Sequence, residues 1–371
     1  MKIPQRKLKQ PEFHLSSEII DTSESDDTTP TVRFEITSFG ADYDVAGFVA
    51  RLQRDDITIP PFQRGYVWHL PEASRFVESI LLGLPVPGVF LAKDSDTNRL
   101  LVIDGQQRLK TLQFFIEGVF NPKVGDKSQK VFELTKVAKQ FEGLSYRDLT
   151  DSDRRKINDY VIHATIVKQD KPSNDDTSIY HIFERLNTTG QRLSPQEIRV
   201  AVYRGQLLDL IEELNENSEW RQIFGKLNPR LKDRELILRF LAFYADAKSY
   251  ERPLGEFLSK FAAKNRNPKP KEIEAFRNSF CTTIKIISDS LGAEAFRPQR
   301  ALNVAVFDSV MIGVARRLDH GSIHKPDQVK TAYHNLILNN KYAEAVTGPT
   351  ADKALVDARI DLATAAFAHV K

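Results

Sequence analysis

Residues 100–108 read Leu100-Leu101-Val102-Ile103-Asp104-Gly105-Gln106-Gln107-Arg108, an apolar run followed at once by a polar turn. The apolar run predicts a buried strand. Helical spacing of apolar residues follows the turn, at Leu109, Leu112, Phe115, Ile116 and Val119. The sequence therefore predicts a strand that passes directly into a helix, with the polar turn at the junction.

The polar turn has two interpretations, and both can hold at once. The start of a helix offers backbone N–H groups and the positive end of the helix dipole, which suit a phosphate. Gly105 lets the backbone approach a ligand closely, and Arg108 can pair with phosphate oxygens. Alternatively, Asp104 is the N-cap with Gln107 at N3, close to a capping box. Capping alone does not account for a glycine at the first helical position.

Composition bounds the class of protein. The 371 residues are enough for two domains, and the 41% apolar and 28% charged residues are typical of soluble globular proteins. The net charge of +3 excludes a general polycation, so contact with nucleic acid would need a local patch. The single cysteine, Cys281, excludes an internal disulfide and a cysteine-based zinc site. Because no apolar run is long enough to span a bilayer, we expect a cytoplasmic protein that does not enter the membrane.

Three regions are expected along the chain. Residues 1–37 are polar, and the acidic stretch from Asp21 to Asp27 predicts a flexible tail with nothing to bury. Residues 38–205 mix strand and helix patterns, which predicts an α+β domain. Residues 206–371 show amphipathic spacing throughout, which predicts an all-α domain. Its expected helical segments are 207–214, 235–247, 273–291, 304–318, 329–338 and 351–369.

Short apolar and β-branched runs place the strands of the α+β domain. We expect strands at 33–36, 57–59, 89–92, 100–103 and 160–167. The runs at 89–92 and 100–103 are separated by a turn and predict a hairpin. Helices are expected at 45–52 and 76–81, the second ended by Gly83 and Pro85.

A second candidate for ligand binding is the segment Ile59-Pro60-Pro61-Phe62-Gln63-Arg64-Gly65-Tyr66-Val67-Trp68. The two prolines hold an extended chain, from which arginine and aromatic side chains could grip a phosphate and stack on a base or sugar. In the alternative, Phe62, Val67 and Trp68 are ordinary core contacts and Arg64 is a surface cation. We favour the core for Trp68 and a functional role for Gln63 and Arg64.

The segment 182–197 combines a helix start with a polar connector. Ser194, Pro195 and Glu197 occupy the N-cap, N1 and N3 positions of an expected helix. Asn187 lies in the connector. Either it is simply part of the polar link between two helices, or its side chain completes a ligand pocket.

Residues 316–320, Arg316-Arg317-Leu318-Asp319-His320, form a third segment, with His324 beyond it. Six residues separate Arg317 from His324, a spacing that some helical ribonucleases use. Gly321 and Ser322 favour a simple helix end, where basic residues suit the helix dipole.

Several motifs together resemble the N-terminal domain of Gmr-type, modification-dependent restriction enzymes, the domain of unknown function 262. The resemblance covers about residues 40–250. It rests on the segments 59–68, 78–87 (Glu78 to Pro87), 104–109, 183–190 and 232–235 (Lys232 to Glu235).

The resemblance implies a ParB/sulfiredoxin-like core that binds a nucleoside triphosphate with Mg²⁺. It implies nucleotide-binding roles for Gln63, Arg64, Gly105, Arg108, Thr111 and Asn187. Catalytic roles fall to Asp104, Gln106, Gln107 and Arg108, with Asp104 also holding the metal. By analogy with glutamines in other nucleotide hydrolases, Gln106 or Gln107 would orient the attacking water. Relatives act against phage DNA that carries modified bases or a modified backbone, and the sensing residues would be Gln63, Arg64 and Tyr66.

The expected function is a nucleotide-dependent, NTP-hydrolysing sensor or regulatory subunit of a prokaryotic anti-phage restriction system that acts on DNA. The chain shows no His-Asn-His nuclease residues like those of many relatives, so we expect a separately encoded nuclease or effector partner. A homo-oligomer remains open. The alternatives are a DNA-binding module without turnover and an antitoxin-like partner of a nuclease.

Overall fold

The computed structural model describes residues 18–21, 35–59, 66–94, 98–122, 129–171, 177–186, 193–348 and 351–371. The chain divides into two compact units. We call residues 30–204 the sheet unit. We call residues 1–29 together with 205–371 the helical unit.

Seven strands are present in the described residues. They are β1 (Ile19–Ile20), β2 (Glu35–Asp44), β3 (Ile57–Thr58), β4 (Val89–Lys93), β5 (Leu100–Asp104), β6 (Val161–Lys171) and β7 (Leu302–Asn303). The sheet unit holds five of them in the order β2-β6-β4-β5-β3. The predicted hairpin is confirmed, since β4 and β5 pair antiparallel. β6 lies on the other side of β4 and runs parallel to it, and this order puts β5 beside the centre of the sheet.

Helices of the same unit pack against this sheet. The helices of the sheet unit are α1 (Val45–Gln53), α2 (Leu70–Leu81), α3 (Gln106–Glu117), α4 (Asp151–Asn158), α5 (Thr177–Leu186) and α6 (Pro195–Val202). Alternate residues of a strand point to the same face, so Leu91, Val102 and Ile166 enter one core. In that core they join apolar residues of α1, α2 and α3, such as Phe48 and Leu112. The predicted capping box of α6 is confirmed: Ser194 Oγ accepts from Glu197 N, and the Glu197 carboxylate accepts from Ser194 N.

The helical unit is built around one helix that is buried on all sides. Its helices are α7 (Gln206–Asn215), α8 (Ser218–Phe224), α9 (Lys232–Asp246), α10 (Leu254–Lys264), α11 (Pro270–Leu291), α12 (Val304–Leu318), α13 (Pro326–Ile337), α14 (Asn340–Thr347) and α15 (Lys353–Phe367). Every residue of α12 from Val304 to Ala315 is buried. A Cβ at Gly313 would lie 2.8 Å from the carbonyl oxygen of Ala363, so the glycine permits α12 and α15 to pack closely. The mixed domain followed by a helical region is confirmed.

Residues 18–21 depart from the predicted flexible tail. β1 pairs in parallel with β7 in the helical unit. The Asp21 carboxylate is buried and accepts from Lys232 Nζ at 2.7 Å, and Arg239 NH1 lies 3.4 Å from it. In the sequence Asp21 begins an acidic stretch, but in the structure its carboxylate neutralises buried cations that lie far along the chain. Residues 1–17 and 22–34 of the expected tail lie outside the described residues.

No helix in the described ranges has both the length and the apolar character needed to cross a bilayer.

Candidate functional site

Gly105 forms the corner between β5 and α3. It is the N-cap of α3, with φ 101° and ψ 6° in the left-handed region, and no side chain caps this helix end. A Cβ at this position would lie 2.4 Å from Cγ1 of Val89 on the neighbouring strand. The predicted Asp104 cap and capping box are therefore wrong: the cap lies one residue later, at Gly105, where there is no room for a side chain. The cap residue of α3 therefore supplies no side-chain acceptor to the helix start, a geometry that is compatible with an anion site.

Arg108 and Asp104 form an ion pair across this corner. Arg108 NH2 donates to Asp104 Oδ2 at 2.8 Å and to the carbonyl oxygen of Gly88 at 2.9 Å. The Arg108 side chain is 17% exposed and that of Asp104 is 53% exposed. Arg108 Nε is buried and lacks a hydrogen-bond partner in the described structure. The guanidinium is thus fixed in direction, while the carboxylate stays accessible to a cation in solvent.

Gln107 ties the start of α3 to the chain that follows the proline segment. Its Oε1 atom accepts from Val67 N at 3.0 Å and from Trp68 N at 3.3 Å. This oxygen is therefore engaged in holding the backbone and is not placed to orient a water molecule. The neighbouring predicted residue, Gln106, is buried and is the first residue of α3.

Tyr66 and Thr111 contact each other inside the core of the sheet unit. The Tyr66 hydroxyl lies 2.7 Å from Thr111 Oγ1, which in turn donates to the carbonyl oxygen of Gln107 at 2.7 Å. Burial, together with the charge of Glu72, raises the pKa of Tyr66 to about 12, although the Thr111 hydroxyl offsets part of the shift. Both side chains are buried, and their predicted contacts with DNA and nucleotide stay predictions.

Three predicted site residues lie outside the described residues: Gln63, Arg64 and Asn187. The structure therefore brings together Asp104, Gly105, Gln107 and Arg108, and leaves the contribution of the other three as a prediction. For Trp68 the core interpretation is confirmed, since its ring packs edge-on against Phe76 at 5.5 Å between centroids.

An Asp–His pair lies on strands that the sequence analysis did not connect with function. His163 Nδ1 lies 2.7 Å from Asp42 Oδ1, and both side chains are exposed. A Cβ at Gly40 would lie 2.6 Å from Cε1 of His163, so the glycine provides the space for the imidazole ring. In the sequence, the pair is indicated only by a glycine two residues before an aspartate on an exposed strand. The register of β2 against β6 is needed to show that this aspartate lies opposite His163.

The metal prediction rests on one carboxylate. The described residues contain no group of three or more histidine, cysteine, aspartate or glutamate side chains that could enclose a metal ion. Magnesium is commonly held by one or two carboxylates together with substrate phosphates, so Asp104 alone is compatible with a metal that arrives with a nucleotide.

Comparison with known proteins agrees with the resemblance drawn from the motifs. No curated protein matches the chain. The family model that matches is the GmrSD restriction endonuclease, N-terminal domain, and the matched residues are 46–204, a shorter stretch than the expected 40–250. The match includes the whole corner from β5 to α3. Residues 46–204 therefore belong to the N-terminal domain family of Gmr-type restriction enzymes, and this domain points to a modification-dependent restriction system that acts on DNA.

Proposed function

We propose that this chain is a nucleotide-dependent sensor or regulatory subunit of a prokaryotic anti-phage restriction system. The phosphates of a nucleoside triphosphate would bind at the corner formed by Asp104, Gly105 and Arg108. The observation that carries the proposal is an α3 N-terminus without a side-chain cap, next to a guanidinium already fixed in direction. Backbone N–H groups at a helix start and a planar guanidinium are both phosphate ligands.

The Asp104–Arg108 ion pair fits a site whose ligand carries both a positive and a negative group, one for each partner of the pair. A magnesium–nucleotide complex carries both a cation and an anion, so Asp104 would turn to the metal and Arg108 to a phosphate. Magnesium, when bound, would neutralise charge on the phosphates. The partial exposure of Asp104 and the unpartnered Nε of Arg108 support this exchange of partners.

The residues around this corner would contact the nucleotide, complete its pocket or position the segment that senses DNA. Gln63 and Arg64 would contact the nucleotide and sense the DNA modification, and Asn187 would complete the pocket. Tyr66 and Thr111 would position the end of the sensing segment, because their hydroxyls are hydrogen bonded to each other. Gln106 stays the proposed residue for orienting a water molecule. We further propose a ParB/sulfiredoxin-like core, a cytoplasmic location and a separately encoded nuclease as effector.

The test of the site is the Arg108→Ala variant. We expect it to lower affinity for a magnesium–nucleotide complex at least about tenfold, since a charge-assisted pair to phosphate is lost. Isothermal titration calorimetry with ATP, GTP, CTP and UTP in magnesium buffer measures this on the full chain. Arg75→Ala is the matched control, because Arg75 is an exposed arginine on α2 of the same unit. Equal affinity in Arg108→Ala and wild type would refute the site.

A DNA-binding module without turnover is the second candidate. It is favoured by the engagement of Gln107 Oε1 with backbone N–H groups, which removes one of the two expected water-orienting glutamines. Phosphate release from each triphosphate, with plain and modified DNA, separates the candidates. Turnover that modified DNA stimulates supports the sensor. DNA affinity that falls steeply with salt, without any phosphate release, supports the second candidate.

A further inference from the structure

The arginine-rich segment near residue 316 lines a cavity in the helical unit. The cavity has a volume of about 520 Å³ and lies where the last turn of α12 meets the end of α15. Its lining comprises Arg316, Arg317, Asp319, His320, Thr364 and residues 368–371. We call it the arginine cleft.

Neutral oxygens hold both guanidinium groups of the arginine cleft. Arg316 NH1 donates to Thr364 Oγ1 at 3.1 Å. Arg317 donates to the carbonyl oxygens of Val370 at 2.5 Å and Gly321 at 2.9 Å. As far as the described chain extends, neither arginine forms an ion pair with a carboxylate. Their direction is therefore fixed while their positive charge is left uncompensated.

Two exposed ion pairs on neighbouring helices of the unit show the contrast. Arg234 pairs with Glu212, and Arg277 pairs with Glu213. The Asp319 carboxylate, which also lines the arginine cleft, accepts from the Tyr244 hydroxyl at 2.6 Å. Two arginines without carboxylate partners, in one concave site, are a fixed positive patch that an anion can neutralise.

The arrangement does not fit the ribonuclease spacing considered from the sequence. His324 does not line the arginine cleft, and its backbone N–H donates to the carbonyl oxygen of Lys371. The helix-end interpretation is confirmed, because α12 ends at Leu318 with Asp319 as its C-cap. Binding of an anion, and not cleavage, is what the geometry supports.

We infer that the arginine cleft binds the backbone phosphates of a nucleic-acid strand. Its lining contains no phenylalanine, tyrosine or tryptophan on which a base would stack. Both guanidinium groups already donate to protein oxygens, so they present charge to a phosphate and not a free fork to a base edge. A pocket for a free nucleotide usually adds such a base-holding surface to its phosphate ligands. Contacts from arginine side chains to phosphates position a protein on the sugar–phosphate backbone without reading sequence.

The test measures binding of a fluorescein-labelled 20-base-pair DNA duplex to the full chain over a series of salt concentrations. The double variant Arg316→Gln/Arg317→Gln should weaken binding about tenfold at low salt and lower the slope of log affinity against log salt by about two. The variant Arg316→Lys/Arg317→Lys, which keeps both charges, should retain the slope. Lys330→Gln, an exposed cation of the same unit outside the cleft, should bind as wild type does.

His320→Glu is a second variant for the case in which the double variant does not fold. His320 is exposed at the cleft, so a carboxylate there should weaken DNA binding by charge alone. Unchanged affinity and slope in a folded cleft variant would overturn the inference. So would loss of ATP binding with unchanged DNA binding, which would assign the cleft to a free nucleotide. Arg108→Ala changes the other site, so the two proposals can fail separately.

Discussion

Gly105 controls the geometry of the corner at the scale of a single residue. Two independent effects would destabilise a variant with a side chain here: the positive φ, and the 2.4 Å approach of its Cβ to Val89. We expect Gly105→Ala to lower the free energy of unfolding of the sheet unit by about 2–4 kcal/mol. Urea denaturation followed by circular dichroism measures the loss.

Gly118 at the other end of α3 is the matched control. It has φ 83°, but a Cβ there would meet no atom within 4 Å. Gly118→Ala should therefore show only the backbone cost, about 1–2 kcal/mol. If the two alanine variants were equally stable, the contact with Val89 would not contribute to the corner.

The corner also shows where residue-level prediction from the sequence stops. The position of the turn between strand and helix was predictable, because the apolar period changes there from that of a strand to that of a helix. The identity of the cap residue was not predictable, because it is Val89 on the neighbouring strand that leaves no space for a side chain at position 105. Likewise, Arg108 was predicted as a phosphate ligand, but its pairing with Asp104 and Gly88 depends on how β4 lies beside β5.

At the scale of elements, Gln107 joins α3 to the residues that follow the proline segment. Gln107→Leu removes the acceptor of Val67 N–H and Trp68 N–H and leaves both donors without it. We expect a loss of about 1–3 kcal/mol and faster amide exchange at residues 67 and 68. Hydrogen–deuterium exchange with mass spectrometry reports the exchange rates.

Gln113→Leu on the same helix is the control for this change. Gln113 Nε2 donates to Glu117 Oε1 at 3.0 Å, a contact within the exposed part of α3. Its loss should leave exchange at residues 67 and 68 unchanged. Equal exchange at these residues in wild type and Gln107→Leu would contradict the assigned role of Gln107.

Elements with a local signal were predictable, and contacts between distant elements were not. The hairpin, the capping box of α6 and the main helices of the helical unit follow from periodicity and from cap residues a few positions apart. The Gln107 contact spans about 40 residues of chain, and no local pattern encodes it. The Asp42–His163 pair likewise requires the register of β2 against β6.

At the scale of the whole molecule, Asp21 links the N-terminal strand β1 to the helices of its own unit. Arg239 and Arg359 both donate to the buried Asp308, and Asp21 contacts Arg239 and Lys232. Burial opposes the charged form of Lys232, but Glu235 and Asp21 outweigh it and raise the pKa of its ammonium group. Removing one anion from this cluster leaves a buried cation uncompensated.

We expect Asp21→Ala to lower the free energy of unfolding of the helical unit by about 3–5 kcal/mol. Ile20→Ala, at the exposed neighbouring residue of β1, should cost far less. Denaturant unfolding of both variants, compared with wild type, measures the difference. Similar stability of the two variants would show that Asp21 does not neutralise the cluster.

The short pairing of β1 with β7 has a consequence for how the protein is made. The helical unit uses residues from both sides of the sheet unit, so the sheet unit is an insertion with two covalent connections. During translation the sheet unit can fold as soon as its own residues leave the ribosome. The Asp21 carboxylate, synthesised first, is neutralised only after Lys232 and Arg239 have been synthesised. The host unit is therefore completed last.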